Sequence, residues 1–234
     1  MKKRIRSFWL ILLPVAALLL FAGGGCQTGV LLAGILGSPT RHEKTVEAEY
    51  DLTGEVQPHI LVLVNQPGWL VTRQNLRFHV TAAVNKSLMK KLDMPAELLF
   101  DYRRISESRS SGPAGSVSPA ELGSKLGADM VLLVVLENYR LNNMPESDYL
   151  KGFLQAQAAL LEVSTGDKLW PAETPYGKTI PVGFEIEAGG REVAVKRLAR
   201  SLAHCITRYF YDCPMDQFRI SDDRTGEAWE NWER

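Results

Sequence analysis

The side chains able to make or break bonds are few and widely spread. The four histidines, His42, His59, His79 and His204, fall on different segments, without the close spacing by which imidazoles share a metal ion. His204 falls on the polar side of a helical pattern and is expected in solvent. Neither a nucleophile elbow nor a phosphate-binding glycine loop is present. Gly189-Gly190 precedes a helix, and its free amides could hold an anion, although a helix start alone explains the pair. Glu185 and Glu187 share one face of a strand, as catalytic carboxylates can and as a solvated sheet edge does. Cys205 and Cys213 would stand about 12 Å apart on a straight helix, too far for a disulfide. They can pair only if the chain turns back between them, and two buried thiols are expected. The sequence therefore assigns no catalytic residue, no metal ligands and no cofactor.

Cys26 is different because of what precedes it. Lys2, Lys3, Arg4 and Arg6 form a basic block, and Phe8 to Phe21 is apolar without a charge. An apolar stretch of about 14 residues has the proportions of a secretory signal and falls short of the roughly 20 needed to span a bilayer. The small residues Ala22, Gly23, Gly24 and Gly25 suit the narrow pocket of a signal peptidase, and Cys26 follows them directly. This order resembles the bacterial lipobox, with Gly23 standing where that pattern has an aliphatic residue. The resemblance implies cleavage before Cys26, a diacylglycerol on its thiol and a third acyl chain on the new amino terminus. Several such chains, at about 0.8 kcal/mol per buried CH₂, would hold the protein on a membrane permanently. By resemblance to the sorting rule of Gram-negative lipoproteins, Gln27 in place of an Asp favours the outer membrane, facing the periplasm. Two alternatives stay open. Phe8 to Gly37 carries no charge and could be an uncleaved anchor, or the signal could lead to simple secretion.

Charge and composition limit the remaining classes. The chain has 234 residues, with 45% apolar and 23% charged, which suits a packed globular domain. Its 27 basic and 27 acidic residues balance, so loss of the four basic residues of the leader leaves a net charge of −4. That sign argues against a general affinity for nucleic acid.

The chain divides into a signal peptide over 1–25, a lipid-anchored tether over 26–56, a domain over 57–213 and a loose polar tail over 214–234. His59 to Val64 reads as a strand buried on both faces. Leu76, Val80, Val84, Leu88 and Leu92 repeat every four residues, predicting a helix capped by Thr72 and ended before Pro95. Leu98 to Ile105 reads as a second, weaker strand, and Ser106 to Ser118 as a mobile loop. Ser118-Pro119-Ala120-Glu121 is a helix start that stops near Gly127. Asp129 to Leu141 is a long strand, followed by a polar turn over Asn142 to Asp148. Tyr149 to Val163 is a strand ending in the turn Ser164-Thr165-Gly166-Asp167, with short strands at Lys168 to Trp170 and Lys178 to Ile186. Between Arg191 and Asp212, Val195, Leu198, Leu202, Ile206 and Tyr209 fall within about 80° of arc, predicting an amphipathic helix. The fold class is α/β: a mixed sheet, with a parallel β-α-β-α-β core extended by antiparallel strands, and a carboxy-terminal helix packed on it.

The step Leu126-Gly127-Ala128-Asp129 into the apolar strand Met130 to Val134, paired with a strand ending at Ser164-Thr165-Gly166, resembles a group of envelope lipoproteins. The group contains the curli-secretion lipoprotein, the lipoprotein activators of penicillin-binding proteins and the amino-terminal domain of the Tol translocation protein. The likeness covers about His59 to Asp212 and implies a non-catalytic role in assembling or regulating the cell envelope. Only the lipidated Cys26 carries over as a functional residue.

Two surfaces could meet a partner. Trp69, beside Pro67-Gly68, is either an exposed anchor or a buried plug at the sheet end. Lys196, Arg197, Arg200 and Arg208 form a basic helix face suited to an anionic lipid or polymer. The expected function is a membrane-tethered periplasmic lipoprotein that binds envelope proteins or copies of itself. A subunit of a secretion or pore assembly is the alternative, and an envelope hydrolase would require dispersed residues to converge in a cleft.

Overall fold

Alternation along the central strands decides where the layers lie. A computed structural model describes residues 44–110, 117–143, 149–187 and 190–218. The signal segment, Cys26, the centre of the serine-rich loop, the turn before Tyr149 and the last sixteen residues lie outside the described part. In order, the elements are β1 (Thr45–Val46), β2 (Ile60–Asn65), α1 (Leu76–Lys91), α2 (Tyr102–Ser110), α3 (Pro119–Leu126) and β3 (Met130–Asn143). They continue with β4 (Tyr149–Glu162), β5 (Lys168–Trp170), β6 (Lys178–Glu187), α4 (Gly190–Thr207), β7 (Cys213–Pro214) and α5 (Met215–Phe218).

β2 pairs parallel with β3, β3 antiparallel with β4, and β4 antiparallel with both β5 and β6. This is the mixed α/β sheet expected. Ile60, Val62 and Val64 of β2 point to one face with Leu132, Val134 and Leu136 of β3, where α1 and α4 cover them. Leu61, Leu63 and Val131 point to the other face, into a smaller cluster with Phe100, Ile105 and Leu122 of the α2–α3 side. Three layers follow because residues one apart on a strand face opposite sides.

Helix α1 buries the periodic Leu76, Val80, Val84 and Leu88. Its cap is Asn75, whose side chain accepts from the Phe78 amide, and not Thr72. Thr72 instead closes its own small turn, accepting from the Gln74 amide and donating to the Gln74 side chain. Side-chain turns of this kind compete with capping.

The expected strand at Leu98 to Ile105 is corrected. One parallel bridge, Ile60 to Leu99, is all that pairs. Asp101 then starts α2, accepting from the Arg104 amide through its side chain and from the Ile105 amide through its carbonyl. An aspartate at a helix start satisfies amides that a strand would have offered to a neighbour. Ser106 to Ser110, expected in a loop, therefore belongs to α2. Among the described residues the parallel part of the sheet is β2 and β3 alone, and α1, α2 and α3 all lie between them in sequence.

The Gly-Ala-Asp step has a structural explanation. Ser118 and Glu121 form a reciprocal capping box with Pro119 inside it. Gly127 ends α3 at φ +80°, a left-handed conformation that glycine adopts without cost. The Asp129 carboxylate accepts from the His59 amide at 2.8 Å and lies 3.1 Å from His59 Nδ1, tying the starts of β2 and β3 together. The His59 amide is the main reason its carboxyl sits below the usual range, with the imidazole contributing further.

Residues 44–52, expected within the tether, are part of the domain. β1 pairs with β7, and the amides of Glu49, Tyr50 and Leu52 donate to the carbonyls of Tyr209 and Phe210. Glu49 accepts from the indole of fully buried Trp170 and pairs with Lys178, whose ammonium lies over the Tyr209 ring. α5, at the start of the expected tail, docks through Phe218 against Tyr209.

Candidate functional site

Of the two expected partner surfaces, the loop after β2 is open. Trp69 is 67% exposed and Val71 is 89% exposed. The loop's backbone is held, because Gln66 donates to the Leu70 carbonyl and Leu70 donates to the Pro67 carbonyl. An indole standing out from a braced turn presents a large contact area at low entropic cost.

The basic face of α4 is uneven. Lys196 is exposed and pairs with Glu192 one turn earlier at 2.7 Å. Arg200 is exposed and Arg197 half-buried. Arg208, just past the helix, works inward: it donates to the Phe218 carbonyl at 2.7 Å and stacks on the Tyr209 and Phe218 rings.

His204, expected in solvent, is buried. The second half of α4 is covered on every side, from Ser201 to Thr207. Amphipathic reading fails there because β1, β7 and α5 wrap a side that the helix pattern alone marks as polar. His204 Nε2 donates to the Gln217 carbonyl at 3.0 Å. Burial pushes its pKa down to about 3, against the opposing effect of that hydrogen bond and with Arg208 and Lys91 adding to the fall. The imidazole is neutral at neutral pH and is part of the packing. Cys205 and Cys213 are both buried, and no disulfide joins them. Glu185 is paired with Lys151 across β4 and β6 at 3.1 Å, as an exposed sheet pair.

A cleft that the sequence did not single out opens between α1 and α2, at the carboxy-terminal end of β2. It encloses about 260 Å³ and is lined by Val64, Arg77, Thr81, Tyr102, Ser106 and Arg109 among others. Arg77 was legible as a polar residue of α1, but Arg109 fell in an expected loop. The signal that could have joined them is the i, i+3, i+7 spacing of Tyr102, Ile105 and Arg109, visible once 102–110 is taken as a helix. Among the described residues, no group of three His, Cys, Asp or Glu could hold a metal ion. Also among the described residues, no helix is long and apolar enough to cross a membrane.

No protein family and no curated protein matches the chain. Solved structures with a similar chain path include the lipoprotein GNA1162 from Neisseria meningitidis, at 16% identity and a TM-score of 0.40, covering 63% of this chain and 96% of that one. A PelC dodecamer from Paraburkholderia phytofirmans is similar at 11% identity and a TM-score of 0.43, covering 71% and 96%. The LpoB C-terminal domain from Salmonella enterica is similar at 15% identity and a TM-score of 0.29, covering 68% and 93%. Bacterial lipoproteins are thus among the structural neighbours, and at these scores the likeness carries no argument about partner or activity.

Proposed function

We propose that this chain is a non-catalytic lipoprotein of the bacterial envelope, anchored through Cys26 and presenting its α/β domain to the periplasm, where it binds other envelope components. The observation that carries the reading is the leader itself: a basic block, a short apolar stretch, four small residues and a cysteine. Gln27 favours the outer membrane over the inner. The reading is supported by the exposed Trp69 on its braced loop, a surface fit for a protein partner or a second copy.

Intact mass of the protein from a bacterial membrane fraction tests the anchor. A chain beginning at Cys26 and carrying the mass of its acyl groups is expected, with Cys26→Ala abolishing both. A full-length unmodified chain in the membrane would instead make Phe8 to Gly37 an uncleaved anchor and remove the lipoprotein reading. Crosslinking from position 69 in intact cells then tests the partner surface, and Trp69→Ala is expected to lose the captured species while the fold is unchanged.

A further inference from the structure

Two arginines, Arg77 and Arg109, converge on the α1–α2 cleft, and among the described residues no acid pairs with either. Each guanidinium makes a long hydrogen bond to a backbone carbonyl, Arg77 to Gln66 at 3.4 Å and Arg109 to Val64 at 3.3 Å. The two carbonyls belong to the end of β2 and the first residue beyond it, so both side chains are drawn to the same strand end. The six residues that follow Ser110 contain no acid, and Glu107 lies two residues from Arg109, where a helix turns it to another side. Desolvation at the cleft and the neighbouring Arg77 charge lower the Arg109 pKa, with Tyr102 opposing them, although much of the residue is exposed.

Like charges placed near one another in a concave site are stabilised by an anion between them. The remaining lining adds donors, since Thr81 is buried in the cleft wall and Tyr102 and Ser106 bring hydroxyls from α2. The volume lies just below the range of ordinary small-molecule sites, about 300–1,000 Å³, so it suits one compact group better than an elongated molecule. A carboxylate would be satisfied by a single guanidinium fork. Two forks with hydroxyls from two directions match a tetrahedral dianion, which has more acceptor oxygens and twice the charge. We propose that Arg77 and Arg109, with the hydroxyls of Thr81, Tyr102 and Ser106, form a binding site for a phosphate group. It does not depend on the lipid anchor. The group could arrive as a free phosphate or on a lipid headgroup, and the chemistry recognised is the same.

Titration calorimetry on the full-length protein in a neutral detergent, at constant ionic strength, tests this with two probes: inorganic phosphate and a short-chain phosphatidic acid. Saturable binding is expected, weakened about tenfold or more by Arg77→Gln and by Arg109→Gln, as loss of a charged hydrogen-bonding partner requires. Arg109→Lys, which keeps the charge and loses the fork, is expected to fall between the wild type and Arg109→Gln while melting like the wild type. Binding of both probes points to a soluble phosphate ligand, and binding of phosphatidic acid alone points to a headgroup. Absence of binding for both, binding that survives both glutamine variants, or displacement of phosphate by equimolar acetate would overturn the proposal.

Discussion

The two faces of the central sheet are built to different standards. On one, α1 and α4 lie side by side over Val62, Leu132, Leu160 and their neighbours, and the core runs on through Trp170 and Phe210 to Cys213. Ser87 and Thr207 even share a hydrogen bond at 2.7 Å where the two helices meet. On the other face the short α2 and α3 cover a small cluster around Phe100, Ile105 and Leu122, and a cleft remains open beside it. The difference teaches where each job is done. Long helices with a continuous apolar stripe bury area and set stability, and short polar helices leave room for Arg77 and Arg109, which have no acidic partner among the described residues.

The largest expected effect is therefore a cavity on the well-covered face. Leu202 is fully buried between α4 and the sheet, and Leu202→Ala should cost about 2–5 kcal/mol, towards the upper end because the surroundings are dense. Leu122→Ala on the other face should cost distinctly less, since the layer there is thin and can close over the gap. Chemical denaturation of the two variants measures the difference, and equal losses would break the contrast between the faces.

Acid should act on the same well-covered face. The folded-state pKa of His204, about 3, lies below its ordinary 6.5, so the unfolded chain takes up the proton first as pH falls. Its contribution to stability is complete above pH 6.5 and drains away between there and pH 3. Asp129, beside the small cluster, is also held below its ordinary 3.8, and the stability it adds is lost as pH falls below that value. Melting temperatures between pH 7 and pH 4.5 should fall for the wild type and fall less steeply for His204→Gln. Parallel slopes would show that another group drives the acid response.

What the sequence made legible follows the same division. The stripe Leu76, Val80, Val84, Leu88 was readable because one long helix repeats a single contact, and β3 and β4 because their runs exceed any local ambiguity. The small face was not readable. From Tyr102 to Arg109 only Ile105 is buried, so the stretch carries no apolar period, and its helix rests on the Asp101 cap, an event of one residue. His204 was misplaced for a different reason. A helix pattern shows which side meets the sheet, but nothing local reveals that residues 44–52 and 213–218 will return to cover the other side. The pairing of Arg77 with Arg109 across the cleft is likewise a long-range fact, invisible until α2 is known to be a helix.

The smallest effect sharpens the comparison from the thin face. Gly123 of α3 sits so close to the sheet that an added Cβ would come within 2.7 Å of a Val163 methyl and 2.8 Å of a Val131 methyl. Alanine in a helix gains up to about 1 kcal/mol over glycine. Overpacking a tight contact costs about 1–3 kcal/mol. Which term wins depends on the two valines. Val163 is half-buried just past the end of β4 and can give way, but Val131 is fully buried within the β2–β3 pairing and is stiff at χ1. One neighbour yields and the other does not, so Gly123→Ala should lose about 1 kcal/mol net in denaturation midpoints. Ser124→Ala, on the exposed side of the same helix, changes propensity without the clash and should be neutral or slightly stabilising. A gain in both variants would mean that α3 can lift away from Val131, and that the thin face is softer than its close glycine contact implies.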